Sequence, residues 1–312
     1  MQGGRLIQTF YSDGFAADIG EHVMPMKKFG LVKERILERC LPARVVAPAP
    51  ATDEQLLRVH TPDYVQAVAT GEPRALAESQ KFPWSPRLAS AVRLTNGAAV
   101  DATLAALDDG VACALASGFH HAHADHGEGF CTFNGLVVAL EEARARGRIG
   151  RALIVDMDLH YGNGTASLLR TRPGLHALSI YGSWYEDNRA SSDVATKRAA
   201  DTDNCRSVPV PNGANGARYL EILDEALVPA IHRAKPDVIL YQAGADPYRE
   251  DPYSPLDLGL ADLAARDARV FAVARAEGIP IAWVLAGGYT KDVSKVVEVH
   301  ANTFAEAAKA RA

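Results

Sequence analysis

Short, uninterrupted apolar runs alternate with segments of helical spacing along most of this 312-residue chain. The strand-like runs cover residues 111–116, 152–156, 175–180, 237–242 and 279–285. The helical segments cover residues 86–107, 136–146, 217–233, 260–277 and 292–310. Continuous apolar runs are typical of strands buried on both faces, and strand–helix alternation favours a parallel sheet. We therefore predict an α/β fold, with a single domain over residues 1–312 in which an open parallel β-sheet carries helices on both faces.

Weaker patterns outside these runs predict additional short elements. We expect strands at 6–11 and 44–47 and helices at 30–40, 52–57 and 166–170, with a further helix that begins after Thr61. Residues 71–85 have no clear period and are expected to form a loop. Residues 181–208 are polar and irregular, so we expect a long surface loop there.

Composition narrows the classes of function. The net charge is −5 and no basic face is clustered, so we expect no nucleic-acid partner. No apolar run has the length of a membrane span, and the N-terminus lacks the layout of a signal peptide, so we expect no membrane partner. The four cysteines are far apart and form no C-x-x-C pair, which fits reduced thiols in the cytoplasm. The sequence does not indicate an oligomeric state.

The most informative stretch reads A-L-I-V-D-M-D-L-H-Y-G-N-G over residues 152–164. Its apolar run predicts a buried strand, and its glycines predict the exit from that strand. If the chain stays extended, Asp156, Asp158 and His160 lie on one side of it. Buried polar side chains need partners, and Asp and His are ligands of divalent cations. The alternative is a strand end with two solvated Asp side chains and a surface His.

Polar motifs follow four of the predicted strands. G-F-H-H ends at His121, D-M-D-L-H ends at His160, A-G-A-D ends at Asp246 and L-A-G-G-Y ends at Tyr289. In open α/β sheets the ligand site lies at the carboxyl ends of the strands. We therefore expect these four distant segments to converge on one crevice.

Asp246 completes a candidate metal site. With Asp158 and His160 it makes a set of two carboxylates and one imidazole. Three protein ligands with an open position for water are the catalytic zinc arrangement, whereas structural zinc sites use four ligands. Iron(II) is an alternative ion for the same ligands. The competing interpretation is that Asp246, which precedes a proline, only caps a helix or a turn.

His120 and His121 are the candidate proton carriers. Adjacent residues after a strand point to different sides, so each imidazole needs its own partner, and Asp156 and Asn163 are the candidates. A His held by a carboxylate is a good general base or electrostatic catalyst, whereas one held by a neutral amide is less basic. The alternative is a buried pair without catalysis. Two further histidines of this segment are expected to lie in a surface loop: His123 and His126.

Tyr289 follows two glycines that allow the backbone to approach closely. Its hydroxyl is placed to polarise a carbonyl, although a lone G-G-Y is also typical of a packed aromatic ring. Taken together, the four segments describe metal-assisted amide hydrolysis. Metal-bound water attacks the amide carbonyl, a histidine takes the proton, and the metal and Tyr289 stabilise the oxyanion.

With these motifs the sequence resembles the histone deacetylase superfamily, which has the arginase/deacetylase fold. The motifs of the resemblance are H-x-x-P at 22–25, V-H-T-P-D-Y at 59–64, G-F-H-H-A at 118–122, G-E-G-F-C-T-F-N at 127–134, D-M-D-L-H-Y-G-N-G-T at 156–165, A-G-A-D-P at 243–247 and L-A-G-G-Y at 285–289. They keep the order and spacing of the family over most of the chain. Their form is most similar to the bacterial and class IV branch.

The resemblance implies a role for each site residue. Zinc would be held by Asp158, His160 and Asp246. The catalytic set would be His120, His121, Asp156, Asn163 and Tyr289. The tube that admits an acyl-lysine side chain would be lined by Gly129 and Phe130. A structural potassium ion would lie near Asp156, Asp158 and Ser179, and the neighbouring thiol of Cys131 is expected to be buried and inert.

The implied reaction is removal of an acyl group, with acetyl as the first choice, from the ε-amine of acyl-lysine in a protein or peptide. Tyr161 stands where many members of the family have a second His. The loop at 181–207 contains residues that are unusual for the family, and they leave the substrate preference open: Trp184, Tyr185, Glu186 and Asp187. The alternative substrates are acetylpolyamines, other small amides and long-chain acyl-lysine. An alternative of another class is a non-catalytic acyl-lysine binding pseudoenzyme. Arginase fits poorly, because Asn163 stands where a second metal would want a charge.

Overall fold

A computed structural model describes residues 6–184, 189–190 and 201–311. Within these ranges the strands are β1 (Ile7–Phe10), β2 (Ala43–Val46), β3 (Val111–Ser117), β4 (Ala152–Asp156), β5 (Leu175–Tyr181), β6 (Ser183–Trp184), β7 (Arg189–Ala190), β8 (Cys205–Pro209), β9 (Val238–Ala243) and β10 (Ile281–Leu285). One eight-stranded sheet has the order β2-β1-β3-β10-β9-β4-β5-β8, and all its neighbouring strands are parallel. β6 and β7 form a separate antiparallel pair. The predicted open parallel sheet is confirmed.

Helices cover the sheet in two groups. Over the same part of the chain they are α1 (Lys28–Glu38), α2 (Asp53–Leu57), α3 (Pro62–Thr70), α4 (Arg74–Ala77), α5 (Pro86–Asp109), α6 (Gly135–Ala145), α7 (Asn163–Leu169), α8 (Gly216–Ala234), α9 (Leu260–Ala276) and α10 (Val293–Arg311). One group packs in the order α8-α9-α10-α1, and the other packs in the order α5-α6-α7. The strands between them have almost wholly buried side chains, as expected for a sheet covered on both faces.

Local sequence signals account for the longest helix. The Ser85 hydroxyl accepts a hydrogen bond from the Leu88 amide, and Pro86 occupies the first helical turn, where its missing amide proton costs nothing. Gly110 ends the helix with a φ of 85°, a left-handed conformation that favours glycine. These signals fix where α5, which packs against β1, β3 and β10, starts and ends.

Three predictions about local structure were wrong. β4 ends at Asp156, and Asp158 and Leu159 lie in a bend, so the extended alternation does not continue to His160. The expected loop at 71–85 contains α4, which is a single helical turn. The expected loop at 181–208 contains β8, an edge strand whose half-exposed residues give no continuous apolar run. Residues 185–188 and 191–200, including Tyr185, Glu186 and Asp187, lie outside the described residues.

The strand order places the chemical motifs side by side. β3, β10, β9 and β4 are consecutive neighbours in the sheet, and they precede the four polar motifs predicted to converge. Parallel strands end at the same edge, so these motifs share one rim of the sheet. Among the described residues, no helix is both long and apolar enough to cross a membrane.

Candidate active site

Asp158, His160 and Asp246 form a buried cluster at this rim. Each offers one ligand atom, and these atoms all lie within 4.8 Å of one another. The His160 ring nitrogen Nδ1 lies 3.2 Å from Asp246 Oδ2 and 3.3 Å from Asp158 Oδ1. Two carboxylates and one imidazole converging in this way fit a divalent cation of the zinc type.

The electrostatics of this cluster also favour a cation. Burial and the neighbouring Asp158 charge raise the pKa of Asp246 to about 7. Burial alone would lower the pKa of His160, but the hydrogen bonds with Asp158 and Asp246 raise it to about 10. Without an ion, the cluster therefore holds a proton at neutral pH. A bound cation replaces that proton as the positive charge that the carboxylates need.

Backbone groups fix both carboxylates in position. The Gly287 amide donates to Asp158 Oδ2 at 2.7 Å, and the Leu159 amide donates to Asp246 Oδ1 at 3.0 Å. A Cβ atom on Gly287 would lie 1.9 Å from Asp246 Oδ2 and 2.8 Å from Asp158 Oδ2. The small residue after β10 is therefore needed for close packing against the cluster.

A buried arginine connects the two segments that carry Asp158 and Asp246. Arg266 Nη1 donates to the carbonyl oxygens of Gly244 at 2.7 Å and Met157 at 3.2 Å. Asp267 balances the charge, with its Oδ1 2.8 Å from Arg266 Nε. Both side chains are fully buried. The arginine thus joins the segments that carry Asp246 and Asp158.

His120 and His121 lie beside the cluster with ring centroids 4.0 Å apart. His120 Nδ1 lies 2.7 Å from Asp156 Oδ2, and His121 Nδ1 lies 2.6 Å from Asn163 Oδ1. Burial alone would lower the pKa of His120, but the Asp156 and Asp158 charges raise it. Burial, together with the His120 charge, holds the pKa of His121 well below its usual range. The pair therefore combines one more basic and one less basic imidazole.

Tyr289 borders the cluster from the segment after β10. Its ring centroid lies 6.4 Å from that of His160 and 5.4 Å from that of Tyr253. Its amide donates to Asp251 Oδ2 at 2.7 Å, which fixes the backbone at this point. Burial of the hydroxyl raises the pKa of Tyr289 well above its usual range, so the group stays protonated and able to donate.

Gly129 and Phe130 form a left-handed turn, with φ values of 51° and 64°. The Phe130 ring stacks on Phe82 at 5.5 Å and meets the His22 ring edge-on at 4.6 Å. Its centroid also lies 6.3 Å from that of the Tyr289 ring. An aromatic wall therefore leads toward the cluster.

The two remaining predicted residues, Ser179 and Cys131, are both buried. Ser179 pairs with Asp156 across β5 and β4, and among the described residues its buried Oγ has no hydrogen-bond partner. Such an orphaned oxygen beside a carboxylate fits a monovalent cation. Cys131 is buried, and its burial raises the pKa of the thiol far above the usual range, as suits an inert group.

Sequence reasoning missed three residues and misjudged a fourth. It gave no role to Lys28, Asp251 and Tyr253. Lys28 is fully buried and donates to the Ala286 carbonyl oxygen at 2.6 Å, and burial lowers its pKa to about 8. The sequence signal for it was only a P-M-K-K run at residues 25–28. His123 was expected at the surface, but it is half-buried and contacts Glu128 and Ser167.

Fold and site together define an α/β protein with a metal-type cluster beside a histidine pair, which is the arrangement of a metal-dependent hydrolase. The chain belongs to the histone deacetylase domain family, whose model matches residues 22–304. It is a deacetylase-type amidohydrolase acting on linear amides, and the family is metal-dependent.

Relatives agree with this assignment. An uncharacterized protein of Picosynechococcus sp. is 33% identical over 283 residues, covering 90% of this chain and 91% of that protein. Histone deacetylase 2 of Arabidopsis thaliana is 30% identical over 274 residues, covering 86% of this chain and 68% of that protein. The crystal structure of an acetylpolyamine aminohydrolase from Burkholderia pseudomallei superposes with a TM-score of 0.77 at 20% identity, covering 96% of this chain and 98% of that one. The structural match supports the fold.

Proposed function

We propose that this protein removes an acyl group, acetyl as the first choice, from the ε-amine of acyl-lysine. The observation that carries the proposal is the position of the His120–His121 pair against the buried Asp158–His160–Asp246 cluster. His120 Nε2 lies 3.7 Å from Asp158 Oδ1, so the pair directly adjoins the proposed metal ligands. Zinc is the first-choice ion, and iron(II) is the alternative.

The residues around the Asp158–His160–Asp246 cluster have complementary catalytic roles in this proposal. A divalent cation bound there polarises a carbonyl oxygen and lowers the pKa of a water molecule. His121, neutral because of its depressed pKa, takes a proton at Nε2 while Nδ1 donates to Asn163. His120, charged beside Asp156, stabilises the negative charge that develops and supplies the proton for the leaving amine. The Tyr289 hydroxyl donates to the carbonyl oxygen.

The aromatic rings beside the cluster support a substrate with an apolar arm. Phe130, with Phe82 and His22 behind it, gives one aromatic side of the approach, and Tyr253 lies against Tyr289 at its inner end. The methylene chain of lysine suits this aromatic side, since it buries apolar surface without leaving a polar group unpaired. We infer that Gly129 and Phe130 contact this chain.

A second substrate class has support from one observation. The acetylpolyamine aminohydrolase of similar fold acts, by its name, on acetylated polyamines. Because that protein shares the fold, we keep a small acylated amine as the second candidate substrate. Long-chain acyl-lysine is the third candidate.

A potassium ion near Asp156, Asp158 and Ser179 is proposed as a structural ion, on the strength of the unpartnered Ser179 oxygen.

A substrate panel tests the proposal. Acetyl-lysine peptide, acetylspermidine and a long-chain acyl-lysine peptide are incubated in parallel with zinc-loaded protein, with and without a chelator. We expect chelator-sensitive release of acetate from the acetyl-lysine peptide at the highest kcat/KM. His121→Ala is the active-site control and His232→Ala, at an exposed His far along the chain on α8, is the surface control. If the zinc-loaded protein cleaves none of the three, the proposal fails.

A further inference from the structure

A second group of metal-type side chains lies outside the candidate active site. His123, His126 and Glu128 each offer one ligand atom within 4.8 Å of the others, and all three are partly exposed. Their partial exposure lets an ion reach them from solvent, unlike the buried cluster. The two imidazole rings stack in parallel with centroids 4.6 Å apart, so the more exposed His126 ring turns out of the stack when both rings bind one ion.

The hydrogen-bond partners of His123 allow its Nε2 to face the group. Ser167 Oγ lies 2.8 Å from His123 Nδ1 and can donate to the Gly164 carbonyl oxygen at 2.9 Å. With the ring proton on Nδ1, His123 donates to Ser167 Oγ and its unprotonated Nε2 faces Glu128 Oε2 at 3.1 Å. The Asn163 amide nitrogen lies 3.3 Å from the same Nε2. In this tautomer Nε2 and the Glu128 carboxylate present two ligand atoms to an ion.

His126 is oriented in the same way. Its Nδ1 lies 2.7 Å from Asp125 Oδ1, so Nδ1 donates and Nε2 is the unprotonated nitrogen of the neutral ring. Histidines that bind metals characteristically donate their other ring nitrogen to a carboxylate or another acceptor. Asp125 and Ser167 have this supporting role here. With Asp125 and Glu128, the group carries two carboxylates and has the donor types that suit zinc, nickel and copper.

Glu128 connects this group to the active site. Asn163 Nδ2 donates to Glu128 Oε2 at 2.6 Å, while Asn163 Oδ1 accepts from His121 Nδ1 at 2.6 Å. The carboxylate thus fixes which end of the amide faces His121. An ion that binds Glu128 Oε2 competes with the Asn163 amide for the same oxygen.

We propose that His123, His126 and Glu128 bind one divalent transition-metal ion at the surface, and that this ion slows turnover by weakening the Glu128–Asn163–His121 connection. A neutral His123 keeps its ring proton on Nδ1 and gives the Nε2 lone pair to the ion, so binding releases no proton from this ring. Only the effect on turnover rests on the proposed function, since binding needs no substrate.

Binding is tested on protein already loaded with one zinc ion, by equilibrium dialysis against added Zn²⁺ and by metal analysis. We expect a second zinc ion per chain in the wild type, and at least about tenfold weaker binding of that ion in His126→Ala. The matched control is His232→Ala, which removes an exposed His beside a single carboxylate, Glu277, and should leave the second ion bound. Absence of a second ion in the wild type, or equal binding in His126→Ala, overturns the site.

The effect of the second ion on the Glu128–Asn163–His121 connection is tested in the same samples. As the second zinc ion binds, turnover should fall in the wild type and stay constant in His126→Ala. The ring nitrogen signals of His121 in NMR spectra should shift over the same zinc range, and this readout needs no activity. If the protein loaded with one zinc ion is already inactive before more zinc is added, that result contradicts the proposed function and not the second metal site. A second ion that changes neither turnover nor the His121 signals overturns the connection.

Discussion

The Asn163 side-chain oxygen lies 2.6 Å from His121 Nδ1, so a neutral acceptor stands where the adjacent His120 has the Asp156 carboxylate. The two imidazoles share a burial environment but differ in the charge behind them. This difference separates their pKa values, with His120 raised and His121 lowered. One segment, the exit from β4, supplies both partners.

Replacing that neutral acceptor should change the pH dependence of the enzyme. In Asn163→Asp a carboxylate faces Nδ1, and the pKa of His121 rises from its depressed value. His121 is then protonated at a higher pH, so the acidic limb of the kcat/KM profile moves to higher pH. The measurement is kcat/KM from pH 5 to pH 9. A profile that coincides with the wild type would rule out His121 as the group that must be neutral.

Removing the Tyr289 hydroxyl should separate metal binding from turnover. Tyr289→Phe keeps the ring that packs against Tyr253 and His160, so the metal content should not change. Loss of one oxyanion donor typically costs a factor of about a hundred or more in kcat. Steady-state kinetics and metal analysis on one preparation test both statements. Full turnover in this variant would remove the carbonyl-binding role.

A single methyl group at Gly287 should disrupt the metal cluster. The added Cβ would lie 1.9 Å from the Asp246 carboxylate, which is fully buried and cannot move away. We expect Gly287→Ala to lose zinc affinity by at least about tenfold, measured by competition with a chelator. The control is Gly150→Ala, whose Cβ would meet only Asp237 Oδ2, at an ordinary contact of 3.7 Å. Equal zinc affinity in both variants would contradict the packing described for this loop.

His60 should make folding stability depend on pH. Its Nδ1 lies 2.8 Å from the His123 carbonyl oxygen, its Nε2 accepts from the Asn134 amide at 3.1 Å, and burial lowers its pKa to about 4. Its contribution is complete above the unfolded-state pKa of about 6.5. Below that pH only the unfolded state takes up the proton, so the free energy of unfolding falls by about 3 kcal/mol on reaching pH 4.

Urea denaturation at pH 7, 5.5 and 4 measures this effect, with His60→Gln as the control that cannot titrate. The variant should lose less stability between pH 7 and pH 4 than the wild type does. Parallel stability curves would show that another group causes the acid sensitivity.

The central sheet could be predicted because its strands are buried on both faces and read as continuous apolar runs. β4 and β9 were located to within a residue or so for this reason. β8 was missed because an edge strand with the sequence C-R-S-V-P has no such run. The turn at Asp158 was missed because a tight bend and an extended strand can both place alternate residues near one point.

The convergence of Asp158, His160 and Asp246 was predictable because parallel strands deliver their ends to one edge, whatever the loops do afterwards. Contacts between loops were not predictable. The approach of Glu128 to Asn163 joins residues 35 positions apart through their side chains, and nothing in G-E-G indicates it. The burial of Lys28 depends in the same way on the packing of α1 against α10 and the sheet.

Zinc titration of metal-free protein, with acetyl-lysine peptide hydrolysis as the readout, tests the central claim most directly. The chelator-stripped protein should be inactive, and its turnover should rise in proportion to bound zinc until one ion per chain occupies the Asp158–His160–Asp246 cluster. Asp246→Asn should stay inactive through the same titration. Fully zinc-loaded wild-type protein that hydrolyses no acylated amine, or Asp246→Asn that matches the wild type, would contradict the account.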